Sequence, residues 1–356
     1  GYMPLTIKEE GGDNNVFARF ANRITNKDKI VFSRQLATLI GAGLPLTQSL
    51  RTVLDQTSNK RMQEVIQEVV ADVEGGKTLS SAFSKHPEVF NKIYIALVTA
   101  GEASGTLDDA LKRFAAQQEK EAAMLSKIRG AMIYPAIVLV VMVAVMLFMI
   151  FTIVPQVEKL YSDMKETLPF LTAVLISISN FMIKFWWLML IILAVIAYFA
   201  RQYFKTGAGI RTLDTIKLNM PPFNGMMRRL YMARFTRTGQ TLLATGVPML
   251  DMLKISSEAV NNVIVSEEIT RAAGKVQSGK ALSAALEHED YILLMVPQMI
   301  KIGEQSGKID EMMGKTAQVY EDELDEEIRA LSTAIEPVLM IFLAVVAGTM
   351  VAAILF

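Results

Sequence analysis

Two hydrophobic patterns alternate along the chain. Met62, Ile66, Val69 and Val73 recur at four- and three-residue intervals, and Val265, Ile269, Ala272 and Val276 repeat that spacing. Each set is the apolar stripe of a helix lying with one face on a core. Elsewhere the polar face disappears. From Gly130 to Val157 no charged residue occurs in 28 positions. About 20 residues at 1.5 Å each cross the hydrocarbon layer, so this stretch predicts a membrane-spanning helix. Phe185 to Ala200 and Pro337 to Phe356 predict two more. The second is short between Lys184 and Arg201, and reaches across if Lys184 snorkels or if the helix begins earlier in "LISISNFMI". Trp186 and Trp187 suit the interfacial belt. No sustained period-two alternation appears, so the expected fold class is an all-α membrane protein: two helical bundles in water and three transmembrane helices.

The two water-facing regions are copies of one another. "FSRQLATLIGAGLPLTQSL" from Phe32 lies without a gap over "FTRTGQTLLATGVPMLDML" from Phe235, and "VEGGKTLSSAF" from Val73 over "VQSGKALSAAL" from Val276. "GEASGTLDDAL" from Gly101 then matches "GEQSGKIDEMM" from Gly303, and Pro135 matches Pro337. Four blocks in one order point to duplication. The resulting divisions are an N-terminal tail (1–25), a first bundle (26–129), a span (130–157), a short loop (158–179), a second span (180–204), a connector (205–227), a second bundle (228–335) and a last span (336–356). Lys127 and Arg129 precede the first span, Arg201, Lys205 and Arg211 follow the second, and Arg329 precedes the third. The loop sets Glu158, Asp163 and Glu166 against Lys159 and Lys165. This bias predicts both bundles on the cytoplasmic side and the C-terminus outside.

Composition narrows the chemistry. The 36 basic and 36 acidic residues cancel, so no overall field draws the chain to nucleic acid. The absence of cysteine excludes disulfides and thiolate chemistry. The first fifteen residues carry Lys8, Glu9, Glu10 and Asp13 without an apolar core, so no cleavable signal peptide is expected there. "GGKT" from Gly75 lacks the earlier glycine and the preceding strand of a phosphate loop and reads as a helix-joining turn. His86 and His288 sit at matching repeat positions without other ligands at metal spacing. No metal, cofactor or catalytic residue is therefore assigned. "EDELDEE" from Glu321 reads as a solvated helix face or as a docking face for a basic partner.

The candidate motif is the doubled one. Gly101 and Gly303 are expected to end a helix, Ser104 and Ser306 to cap the next, with Gly105 and Gly307 completing each bracket. Asp108, Asp109, Asp310 and Glu311 then fall in first turns, facing the positive end of the helix dipole. Glu102 and Glu304 are unused by that scheme, and read either as structural hydrogen-bonding groups or as an interaction surface. Gly43 with Pro45, and Gly246 with Pro248, suggest a helix stop followed by a proline-started helix. Pro135, Glu336 and Pro337 mark membrane entry, where an ionisable residue is costly.

These ordered motifs, with "YEDELDEEIRALSTAIEPVLMIFL" before the last span, resemble the type II secretion F family over about residues 30 to 356. That family contains the PilC platform proteins of type IV pili and the GspF platform proteins of type II secretion. The resemblance implies an inner-membrane, non-enzymatic platform that couples a cytoplasmic hexameric ATPase to insertion of pilin or pseudopilin subunits into a filament. It also implies other inner-membrane assembly proteins as partners, and a homodimer or larger assembly. A channel or carrier would need polar residues along the spans, yet only Lys184 and Glu336 occur, both near ends. A membrane-anchored enzyme lacks a site.

Overall fold

A computed structural model describes residues 23–164, 170–221 and 223–355. Most of the expected N-terminal tail, and Lys165 and Glu166 of the loop, lie outside them. Among the described residues every regular element is helical. The first repeat contributes α1 (Asn26–Gly41), α2 (Leu46–Gln56), α3 (Lys60–Glu74), α4 (Leu79–Ser84) and α5 (Lys92–Ser104). Then α6 (Leu107–Phe148) runs through a π-helical turn (Met149–Ile153) into α7 (Val154–Met164). After it come α8 (Phe170–Tyr203) and α9 (Gly207–Asn219). The second repeat follows as α10 (Asn224–Ala244), α11 (Met249–Ala259), α12 (Val263–Gln277), α13 (Leu282–Leu286), α14 (Met295–Ser306) and α15 (Ile309–Leu355).

Local chemistry fixes the helix ends. Thr25 and Asp28 form a reciprocal capping box at α1. Asn59 accepts a hydrogen bond from Met62 N–H at the start of α3, and Asn262 does the same for Ile264 and Val265 at the start of α12. Gly43 and Gly246 turn the chain with φ of 85° and 83°. Pro45 stands just before α2, with φ −58°, and Pro248 just before α11. Each proline therefore precedes the first helical residue instead of supplying it, a place where its missing N–H costs nothing.

The described residues form two compact units. One holds those up to Ala122 together with Arg237–Ala259; the other holds Ala123–Thr236 together with Val260 onward. Thus α11, second-repeat by sequence, belongs to the first unit, where it packs on α5 and Lys92 Nζ meets Glu258 Oε1 at 2.7 Å. The core of the first unit is aromatic: Phe83 lies 4.1 Å from Phe90 between ring centroids, and Tyr94 4.4 Å from Phe114. Burying such a ring contributes roughly 2–3 kcal/mol. At the register positions of Phe83, Phe90, Tyr94 and Phe114 the second repeat buries Leu286, Ile292, Val296 and Thr316.

Three helices are long and apolar enough to cross a membrane, and they overlap the three expected spans, the second as far as Tyr203 and the third as far as Leu355. α6 and α15, with 42 and 47 residues, each extend without a break from a water-facing bundle into an apolar stretch. At 1.5 Å per residue they are about 63 and about 70 Å long. Pro135 and Pro337 lie inside these helices. The helix α8 is broken at Phe185 (φ −115°, ψ 17°), where the apolar run of the second span begins. In the second unit, Ser179 Oγ donates to the carbonyl of Ile150 at 2.7 Å, a group in the π-helical turn.

Candidate functional site

The doubled motif uses its glycines differently from the sequence expectation. Gly101 and Gly303 lie within α5 and α14, which continue to Ser104 and Ser306. They do not stop those helices. Their role is close approach: a Cβ on Gly101 would sit 2.9 Å from Ala110 Cβ and 3.0 Å from Leu107 Cα, and one on Gly303 would sit 2.7 Å from Ile309 Cα. The left-handed turn is made one helical turn later by Gly105 (φ 73°) and Gly307 (φ 72°), with open space around each. Gly101 and Gly303 carbonyls then accept from Thr106 and Lys308 N–H at 2.9 Å. Nor do Ser104 and Ser306 cap the following helices. As the last residues of α5 and α14 they donate back to the carbonyls of Ala100 and Ile302, four residues earlier. Asp108, Asp109, Asp310 and Glu311 do fall in first turns.

Glu102 and Glu304 reach to the starts of the shortest helices. Glu102 accepts from the N–H of Leu79 and of Ser80 and from the Ser80 hydroxyl, so it holds the N-terminus of α4. Glu304 accepts from Ser283 N–H at 3.2 Å and from its hydroxyl, at the start of α13. Thr78 caps α4 as well, whereas Ala281 offers α13 no side-chain cap. These contacts join the last turn of one helix to the first turn of another about twenty residues away in sequence.

Beside the motif the repeats exchange acidic and basic positions. His86 Nε2 faces Glu68 at 3.4 Å, and in the second repeat Glu289 faces Arg271 at 2.5 Å. The backbone fixes the register: His86 N–H bonds to Phe83 carbonyl as Glu289 N–H bonds to Leu286 carbonyl. His86 therefore corresponds to Glu289, and His288 is an exposed neighbour, because the second repeat loses a residue after this turn. Asp72, held below the usual carboxylate range by hydrogen bonds from Lys77 and Lys85, is matched by Lys275. Burial opposes ionisation of Glu289, yet hydrogen bonds from Lys275 and Arg271 leave it below the usual range.

Glu268 occupies the register position of the core residue Val65 and is itself buried. Burial first, then Glu289 and Asp290, push its carboxyl up to about 7 against Tyr291 N–H and Arg271. The folded chain thus keeps a proton that the unfolded chain releases near its ordinary value. Stability should fall as pH rises through the window from about 4.5 to about 7 and level off above it. Thermal unfolding in detergent across that window should show a smaller slope for Glu268→Gln; an unchanged slope would exclude Glu268 as its source.

The remaining candidates separate by place. "GGKT" is the turn between α3 and α4, with Gly76 at φ 86° and Lys77 paired to Asp72 at 2.7 Å. The acidic run is partly spent inside the second unit: Arg229 bridges Glu323 and Glu327, and Lys127 of α6 pairs with Asp325 of α15. Glu336 is exposed on α15. Among the described residues no group of His, Asp or Glu could hold a metal ion. In the first unit a groove of about 710 Å³ runs between α5 and α11, lined by Ile95, Ala96, Val247, Pro248 and Ile255.

Residues 32–155 and 235–356 match the family model described as type II secretion system (T2SS), protein F. The chain is 42% identical to type IV pilus assembly protein PilC of Thermus thermophilus, over 92% of its own length and 80% of the relative's. It is 37% identical to the protein of the same name from Myxococcus xanthus, over 98% and 84%. Type II secretion system protein F of Xanthomonas campestris is 33% identical over 95% and 85%.

Proposed function

The chain belongs to the type II secretion system protein F family, and from that premise we propose that it is the inner-membrane platform of a type IV pilus assembly machine. In this reading it couples a cytoplasmic hexameric ATPase to insertion of pilin subunits into the growing filament, and it hydrolyses nothing itself. The observation that supports it best is the continuity of α6 and α15, each a single helix from bundle to apolar span. A displacement applied to such a helix in water is carried towards the bilayer along its backbone hydrogen bonds, with one interruption each, at Pro135 and Pro337, where the missing N–H offers a place to bend. Both bundles lie on the cytoplasmic side, where the ATPase reaches them, and the C-terminus lies outside, following the basic flanks. The platform works as a homodimer or larger assembly with other inner-membrane assembly proteins. Relatives named for type II secretion favour a second reading, a GspF-type platform serving pseudopilins.

Inverted membrane vesicles test both parts. Single cysteines introduced at the exposed positions Ser81 and Ser278 should react with an impermeant maleimide, and one at Ser162 should not. Adding the cognate ATPase should change its turnover, while the platform alone shows none and Lys77→Ala changes nothing. Lysine-dependent ATP turnover by the isolated chain, or no contact with the ATPase, sinks the coupling; reversed labelling sinks the orientation.

A further inference from the structure

The helix α9 presents two unlike faces. One is tied to α12: Asp214 is buried and accepts from Val263 N–H at 2.9 Å, and Arg211 forms a two-pronged pair with Glu267 at 2.8 and 3.1 Å. The other is uncovered. Ile210, Leu213, Ile216 and Met220 recur at three- and four-residue spacing, and Ile210 and Ile216 are 40% and 45% exposed. Exposed Tyr203 and Phe204 precede this stripe, with Lys205 beside its start, while Lys217 on its flank pairs with Asp214 at 2.9 Å.

Chain length dictates what lies next to that stripe. Only Phe204, Lys205 and Thr206 separate the end of α8 from the start of α9. At about 3.5 Å per residue, α9 begins within roughly 15 Å of the end of a helix that spans the bilayer. The connection is also rigid. A Cβ on Gly209 would lie 2.0 Å from the Tyr203 carbonyl oxygen, Thr206 Oγ1 donates to that carbonyl at 2.7 Å and accepts from Gly209 N–H, and Tyr203 Oη lies 3.4 Å from Thr212 Oγ1. The first turns of α9 are thereby pinned against the last turn of α8.

We propose that α9 is a membrane-surface helix, with Ile210, Leu213 and Ile216 inserted among lipid headgroups and Lys205 on anionic phosphates. An uncovered apolar stripe with lysines beside it is the pattern by which helices bind in the interfacial plane. Tyr203 and Phe204 supply the aromatic belt at its start. Through Asp214 and Arg211 the same helix braces α12, so α12 is held near the bilayer surface by this contact. The inference rests only on α8 crossing a membrane and is independent of any ATPase.

The test exploits the cysteine-free chain. Full-length protein carrying a single cysteine at Ile210, Ile216 or Thr215 is labelled with an environment-sensitive fluorophore and placed in nanodiscs containing phosphatidylglycerol. Probes at Ile210 and Ile216 should shift to the blue, and headgroup-level spin-labelled lipid should quench them at least about twofold more than the Thr215 probe on the polar edge. Replacing phosphatidylglycerol by phosphatidylcholine, or Lys205→Gln, should reduce that difference. Equal quenching at Ile216 and Thr215 overturns the proposal. Shielding of Ile216 in cells but not in nanodiscs assigns the stripe to a protein partner and also overturns it.

Discussion

Gly303→Val should be the most damaging single substitution in the second bundle, and even Gly303→Ala should lower its thermal midpoint clearly. The added Cβ meets backbone: Ile309 Cα at 2.7 Å, and Ile309 N and Lys308 O at 3.2 Å. None of these atoms can rotate away, so α15 must move off α14. Overpacking of this kind costs about 1–3 kcal/mol, and more for a branched side chain. Gly101→Ala should cost less, since its nearest backbone contact is 3.0 Å. Gly307 separates the two explanations for a motif glycine. It has space around it but φ 72°, so Gly307→Ala costs only about 1–2 kcal/mol, and Gly307→Asn less, because asparagine tolerates the left-handed region. Gly303→Asn should find no such relief. Unfolding of the purified chain in detergent, followed by circular dichroism, gives the order; a Gly303→Ala protein as stable as the parent would remove the close contact from the account.

Removing the motif carboxylates should rank next. Glu102→Ala leaves Leu79 N–H and Ser80 N–H without their acceptor, and Leu79 is fully buried. A buried donor left unpaired costs about 1–3 kcal/mol. Glu304→Ala deprives α13 of its one side-chain acceptor at that end, because Ala281 stands where α4 has Thr78. Adding Ala281→Thr to Glu304→Ala should therefore recover about 1 kcal/mol, the usual worth of a threonine cap. Protease sensitivity at residues 281–287 reads the result locally. If Glu304→Ala leaves that segment protected, the carboxylate is not what holds α13.

Much of this architecture is visible in the residues alone. The uncharged runs locate the spans, and the offset blocks locate the repeats, because both depend on periodicity along the chain. What escapes is set by neighbours distant in sequence. A glycine in "GEASG" serves either an unusual φ or a close approach, and only the position of Leu107 and Ala110 against Gly101 decides which. Glu102 looks idle until α4 arrives from 22 residues away. Membership of α11 in the first unit is equally invisible to a reading that assumes contiguous bundles. One local signal does lie in the residues: Asn59 and Asn262 stand at equal places in the repeats, each before an apolar stripe, and each caps a helix.

The inverted pairs have a further consequence. Glu68 and Asp72 on α3 become Arg271 and Lys275 on α12, and Glu68 and Arg271 are both well exposed. Asp72 is spent on Lys77 and Lys85, and Arg271 and Lys275 on Glu289, so the exchange that reaches solvent is chiefly a carboxylate at 68 for a guanidinium at 271. Duplication has therefore not given the chain one handle twice. It has given it two surfaces that match in backbone and differ in the sign of one exposed side chain.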